Sequence, residues 1–282
     1  MSAVVTDVLT FDAEAARAAY DRDGYWVSPV LFDADEVARF LAATQRVVDG
    51  SYDRDRKPTL CLPFEPTEHD LRKIDNSWWA DSDLASLATD ARNGEIAAAL
   101  LGVDTVRLWQ DQLLYKPPGG PKETTIGWHQ DWASWLAVAS NDAFVTAWVA
   151  FDDVDEENGA MQMLRGSHEW GLLPGASNFF ATDRDSQIDA LGGERSIEPR
   201  TIAMRAGQVS FHHPLTFHGS GPNTSNRLRR SLAIHLVDAD VRAVDADGGW
   251  QHYNLSLFQE RGGQLGEPYG FDDLCPQVHP GG

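Results

Sequence analysis

The chain has 282 residues, 42% of them hydrophobic and 10% aromatic, a composition that suits a packed core and excludes a disordered or low-complexity protein. Its formal net charge of −20 makes nucleic acid and anionic lipid surfaces poor partners. Two cysteines, Cys61 and Cys275, lie far apart without a CxxC pair, so a zinc–thiolate site and a disulfide scaffold are not expected. Residues 1–15 carry acids but no Lys or Arg, unlike a signal peptide, and the apolar run from Ala143 to Phe151 is too short to span a bilayer. A cytoplasmic protein acting on a small molecule is the expectation, with no indication of oligomeric state.

Two helices open the chain. Asp12 can cap a segment through Tyr20, and Asp33 with Glu36 forms a D-x-x-E capping pattern ahead of Val37, Phe40, Leu41, Thr44 and Val48 at helical spacing. Gly24-Tyr25-Trp26-Val27 between them reads as a short strand. Residues 51–82, rich in Pro, Asp and Trp, read as irregular. A third helical stretch runs from Leu84 to Leu101, with a break expected near Asn93-Gly94 and an end at Gly102. From Thr105 short β-rich runs alternate with turn residues, at 105–116, 126–131, 143–151, 159–164, 201–204, 208–212, 215–218 and 229–237, the texture of a sandwich or barrel. Residues 171–200 read as a long insertion, of the kind that forms lids or binding loops. The organisation expected is one domain over 1–282: a mostly helical part at 1–104, a barrel core at 105–240, and the insertion.

Within Gly127-Trp128-His129-Gln130-Asp131, an H-x-D on a strand puts one imidazole and one carboxylate on the same face. Such a pair can equally be a His–Asp hydrogen bond. A further histidine would complete a two-His, one-carboxylate triad, which leaves open positions for Fe(II) oxygen chemistry. His218, at a strand end before Gly219-Ser220-Gly221-Pro222-Asn223, is one candidate; His168, His212, His213 and His235 are rivals that spacing alone does not separate. Arg229 opens the β-rich run Arg229-Arg230-Ser231-Leu232-Ala233-Ile234. An Arg held on a strand beside an iron site can clamp the far carboxylate of 2-oxoglutarate in two-pronged fashion. Arg227 and Arg230 are nearby alternatives, and a solvated edge strand is the plainer use of such a pair.

Taken in order, the motifs resemble the phytanoyl-CoA dioxygenase (PhyH-like) family of Fe(II)/2-oxoglutarate oxygenases over most of the chain. They are Tyr20-Asp21-Arg22-Asp23-Gly24-Tyr25, Tyr115-Lys116-Pro117-Pro118-Gly119-Gly120, His129-Gln130-Asp131, Phe151 through Gly159, Arg165-Gly166-Ser167-His168, Gly207 through His212, His218 through Ser225, and the Arg-Arg pair. The resemblance implies a mainly β fold with flanking helices, a double-stranded β-helix or cupin-like jelly-roll barrel. It implies Fe(II) held by His129, Asp131 and His218, with 2-oxoglutarate and O2 as co-substrates. It assigns 2-oxoglutarate contacts to Arg229, Ser220 and Trp148, and one further contact to Gln112 or, on the same face, Gln110. His168 falls in a structural turn. The implied reaction hydroxylates an unactivated C–H bond and releases succinate and CO2; some relatives desaturate, cyclise or epimerise, and others hydroxylate acyl-CoA. The carboxylate of Asp131 disfavours halogenation, which in relatives goes with a small residue there.

Trp132 and Trp135 follow the H-x-D directly, and Trp78, Trp79, Phe179 and Phe180 sit in segments that can cover a barrel mouth. Trp132, Trp135, Trp78 and Phe179 are therefore expected to line an apolar pocket, suited to a polycyclic or aliphatic molecule such as a secondary metabolite. The acidic charge argues mildly against a CoA thioester. A different class, a metal-binding cupin-like protein without turnover, is separated from the oxygenase by assaying Fe(II)-dependent conversion of 2-oxoglutarate to succinate.

Overall fold

The computed structural model describes residues 11–173, 175–191, 197–246 and 252–280. The order of elements is α1 (Ala13–Asp23), β1 (Tyr25–Val30), α2 (Ala34–Val48), β2 (Leu60–Leu62), β3 (Arg72–Asp75), α3 (Ser82–Ala88), α4 (Ala91–Leu101), β4 (Val106–Lys116), α5 (Pro121–Thr124), β5 (Ile126–His129), α6 (Trp132–Trp135), β6 (Phe144–Ala150), β7 (Met161–Leu164), α7 (Arg184–Leu191), β8 (Pro199–Thr201), β9 (Gln208–His212), β10 (His218–Ser220), β11 (Arg229–Asp238), α8 (Tyr253–Glu260) and β12 (Gln277–His279). The helix starts follow their capping residues. Asp12 accepts from Ala15 N, and Asp33 with Glu36 closes a reciprocal capping box on α2.

The strands form the two antiparallel walls of the expected jelly-roll barrel. The large sheet runs β1-β9-β6-β11-β4-β3-β2, with β12 added on β4; the small sheet runs β5-β10-β7-β8. Side-chain alternation divides β11 cleanly. Leu232, Ile234 and Leu236 join the main apolar core with Val145, Ala147 and Val149 of β6, on the side that the helices cover. Arg229, Ala233 and His235 line the cavity between the sheets. Cross-strand registers then build rows on that inner face. One row is Gln110, His235, Thr146 and His212; the next is Asp75, Gln112, Ala233, Trp148 and Ser210.

Several boundaries differ from the sequence expectation. The segment 51–82 is not wholly irregular: β2 and β3 extend the large sheet, followed by a 3-10 turn at Ser77–Trp79. These strands are three and four residues long, too short for a legible period. The break between the third and fourth helices comes at Thr89-Asp90, where Asp90 caps α4 through Arg92 N, and not at Asn93-Gly94. Gly94 instead sits inside α4, where a Cβ would meet Val278 at 2.8 Å, so it permits close packing on β12. The runs expected at 201–204 and 215–218 are shifted to β8 and β10. The insertion carries α7; its residues 174 and 192–196 lie outside the described residues. Among the described residues no helix is long and apolar enough to cross a membrane.

Candidate active site

β5 and β10 pair antiparallel with His218 directly opposite His129, which sets the two imidazoles 4.2 Å apart by ring centroid. The H-x-D does not remain on a strand, as the sequence suggested. β5 ends at His129, and Asp131 takes helical angles at the start of α6. The turn still brings the carboxylate inward: Asp131 Oδ1 lies 3.6 Å from His129 Nε2 and 3.8 Å from His218 Nε2. Each histidine is held by its other nitrogen. His129 Nδ1 donates to Gly127 O and His218 Nδ1 donates to Thr216 O, both at 2.9 Å, so both Nε2 lone pairs are free to bind a metal. The donor atoms of His129, Asp131 and His218 lie within 4.8 Å of one another, and among the described residues no other His/Cys/Asp/Glu group could hold a metal ion.

The protonation states suit that use. Burial alone would raise the Asp131 carboxyl, but the surrounding imidazoles of His218, His129 and His212 hold it well below its ordinary range. Burial, reinforced by His129, pushes the His218 imidazole well below its ordinary value. A second layer steadies the carboxylate: the Thr146 hydroxyl donates to Asp131 Oδ2 at 2.9 Å and accepts from His235 Nδ1 at 2.8 Å. Of the rival histidines, His212 approaches Asp131 Oδ2 at 3.4 Å from the sheet behind it. His168 and His213 pack on each other near α1, away from this cluster.

Beside the triad is a small cavity whose lining includes Gln112, Trp148, Ser220 and Arg229. Arg230 turns outward to pair with Asp152 and Arg227 pairs with Asp155, which leaves Arg229 as the arginine of this run that faces the cavity. Its Nη1 donates to Gly159 O at 3.0 Å, while Nε and Nη2 are buried without a partner. Burial lowers it to about 10. Lys116 stands opposite Arg229 in the ladder and donates to Ser220 Oγ at 2.6 Å and Gly221 O at 2.7 Å. Burial and then the Arg229 charge push Lys116 well below its ordinary value. The buried Arg229 guanidinium, with no carboxylate on it, forms a receptor for an anionic group, since an uncompensated buried charge is costly, and Lys116 holds Ser220 beside it. Sequence reading passed over Lys116 as part of a turn motif. The alternation Gln110, Gln112, Leu114, Lys116 on β4 was the signal that could have found it.

A wider cleft of about 1480 Å³, open to solvent, leads on from the triad. Trp135 and Phe179 line it, as does Gln110, which lies in this outer cleft and not in the cavity beside Arg229. Trp78 and Trp132 do not line either space. Trp78 is buried in the core beside Trp79, and Trp132 packs on Phe144. The 3-10 turn and α6 carry these two indoles toward the helical layer, a direction that an irregular-looking stretch of sequence does not reveal. Phe179 sits edge-on to His129 at 4.9 Å. Its segment is laid along β5: Gly127 N donates to Phe179 O, Gln130 N to Ala176 O, and Gln187 of α7 makes two bonds to the Trp128 backbone. Only glycine allows this approach at position 127, where a Cβ would lie 2.2 Å from Asn178 O.

The comparisons with known proteins agree with this geometry. The family model described as "Phytanoyl-CoA dioxygenase (PhyH)" matches residues 20–231. A probable alpha-ketoglutarate-dependent hypophosphite dioxygenase from Stutzerimonas stutzeri is 29% identical, with 88% of this chain and 86% of that protein covered. The human peroxisomal phytanoyl-CoA dioxygenase is 28% identical over 86% of this chain and 72% of its own length. The crystal structure of the epimerase SnoN in complex with Fe3+, alpha ketoglutarate and nogalamycin RO superposes with a TM-score of 0.69 at 25% identity, covering 95% of this chain and 98% of that one. The chain belongs to the phytanoyl-CoA dioxygenase family of Fe(II)/2-oxoglutarate-dependent oxygenases.

Proposed function

We propose that His129, Asp131 and His218 bind Fe(II), that Arg229 anchors 2-oxoglutarate, and that the enzyme hydroxylates a C–H bond of a small molecule in the cytoplasm. The observation that carries the reading is the adjacency of two features. A three-donor cluster spans 4.8 Å, and a buried guanidinium with two unpartnered nitrogens shares its cavity. With iron, 2-oxoglutarate and O2 bound, the centre supplies oxidative decarboxylation to succinate and CO2, coupled to oxidation of the substrate.

The protein's own groups have separate tasks. The backbone carbonyls of Gly127 and Thr216 hold the two ligand imidazoles in the metal-binding tautomer. Arg229, with Lys116 and Ser220 beside it, receives the distal carboxylate; Trp148 and Gln112 wall the co-substrate. Gln110 has no part in that contact. Phe179 and Trp135 wall the substrate side, whereas Trp78 and Trp132 act in packing. The chain works as one domain, and a small molecule, not nucleic acid, is its partner. The relatives span substrates named hypophosphite, phytanoyl-CoA and a nogalamycin compound, so the family alone leaves the substrate open.

The test is Fe(II)-dependent conversion of 2-oxoglutarate to succinate by the purified chain. Turnover is expected even without substrate, at an uncoupled rate, and a product that gains one oxygen identifies hydroxylation over desaturation, cyclisation or epimerisation. Tightly bound zinc with no 2-oxoglutarate turnover would contradict the proposal.

A further inference from the structure

The wide cleft has two unlike walls. One is apolar, formed by Trp135, Leu136, Phe179 and Phe180, while Leu60 and Leu62 of β2 flank the opposite wall beside Asp75 and Lys73. The other is polar: Lys73 and Asp75 of β3, Gln110 and Gln112 of β4, and Tyr253 of α8. Its position follows from register. Lys73 and Asp75 are two apart on one strand and so share a face, and Asp75 stands opposite Gln112 in the β3–β4 ladder. That row continues through Ala233 to Trp148 in the cavity beside the triad, so the polar wall runs into the co-substrate site without a break.

The charges on this wall cancel. Lys73 Nζ reaches both carboxylate oxygens of Asp75, at 2.5 and 2.7 Å, and the pair is largely buried, with side-chain exposures of 12% and 3%. An ammonium that carries its own carboxylate has little attraction left for an external anion, and a second carboxylate placed there would face Asp75 across a desolvated gap. What remains on offer is hydrogen bonding. The third Lys73 N–H is uncommitted to Asp75, Tyr253 Oη donates to Gln110 Oε1 at 2.5 Å and so orients that amide, and no protein group among the described residues hydrogen-bonds the Gln112 amide. These are groups suited to hydroxyl, keto, ether or ester oxygens.

Resting on the proposed function, we infer that the substrate is a neutral amphiphile, with an apolar face for the Trp135–Phe179 wall and uncharged oxygen functions along the edge that meets Lys73 and Gln110. This replaces the purely apolar pocket expected from the tryptophans. It also excludes substrates whose recognised end is a free carboxylate or phosphate. Gln110, outside the Arg229 cavity, becomes a specificity residue for substrate.

The experiment titrates the full chain, loaded with Fe(II) and 2-oxoglutarate without O2, with a matched pair of probes: a steroid diol and a steroid acid on the same ring system. Tryptophan fluorescence reports binding, since Trp135 lines the cleft. The parent protein should prefer the diol by about tenfold or more, the scale of one hydrogen bond to a charged group. Asp75→Asn frees the ammonium and should shift the preference toward the acid by about tenfold. Gln110→Leu leaves the ion pair intact and should weaken the diol by about tenfold with little change for the acid; thermal melts establish that each variant is folded. Binding of the acid over the diol in the parent overturns the inference. So does a preference that neither variant alters, or the failure of the diol to bind at all. A Gln110→Leu protein that loses 2-oxoglutarate and not the diol would return that residue to the co-substrate site. Repeating the titration without iron and 2-oxoglutarate separates this inference from the proposed function, because probe preference and cofactor binding are read independently.

Discussion

At the scale of single residues, the proposed metal cluster depends on groups outside its three ligands. Thr146 holds Asp131 Oδ2 with one hydrogen bond and is itself held by His235, both on the inner face of the large sheet. Thr146→Val removes both bonds without changing shape, so Fe(II) affinity should fall by about tenfold or more, the usual effect of losing an outer hydrogen bond to a ligand. Unchanged affinity in an anaerobic Fe(II) titration would show that Asp131 needs no such support. His218→Ala should abolish iron binding, while His212→Ala, which removes only a 3.4 Å neighbour of Asp131, should weaken it. The opposite ranking would show that His212 is the third ligand. Spacing in the sequence could not separate these two histidines, since both lie on short strands. The distinction is one of register: His218 is opposite His129, and His212 is opposite Thr146.

At the scale of elements, the long strands and capped helices were legible because each carries a repeated signal. β4, β6 and β11 are seven to eleven residues long and rich in apolar and aromatic residues, and α2 announces its start with a capping box. β2 and β3 were not legible, because they are three and four residues long and β3 turns the polar Lys73 and Asp75 inward. The turn after β3 is tied down from β4. Asp111 accepts from Ser77 Oγ and from Trp78 N, and its carbonyl accepts from Asn76 N while Asn76 holds a left-handed φ of 55°. Burial raises the Asp111 carboxyl to about 7. A group raised in the folded state favours folding fully below its unfolded value, near 4, and that contribution is lost as pH rises from there through about 7. Asp111→Asn removes this dependence, so its melting temperature relative to the parent should rise between pH 5 and pH 8. A relative gain on the order of 3 °C corresponds to about 1 kcal/mol in a chain of this size. A constant difference across that range would mean that the carboxyl ionises normally.

At the scale of the whole molecule, two facing sheets meet at one iron-sized cluster, with a cationic end at Arg229 and a wide cleft opposite. The order of motifs carried the family and the barrel, because those residues sit in short turns of distinctive composition readable in one dimension. The character of the substrate cleft was not readable, because its walls come from β2, β3, α6, α8 and the inserted segment, which are distant in sequence. Trp78 and Trp132 illustrate the limit: abundance of tryptophan does not say which way an indole points. The central claim is the division of labour between His218 and Arg229. The direct measurement is an anaerobic titration of Fe(II) and 2-oxoglutarate, followed by the visible charge-transfer band of the ternary complex. The parent should form the band. His218→Ala should lose it with the iron, and Arg229→Ala should keep the iron but require on the order of 100-fold more 2-oxoglutarate, the effect of removing a buried two-pronged ion pair. An Arg229→Ala protein with unchanged 2-oxoglutarate affinity, or a parent that forms no band, would contradict the account.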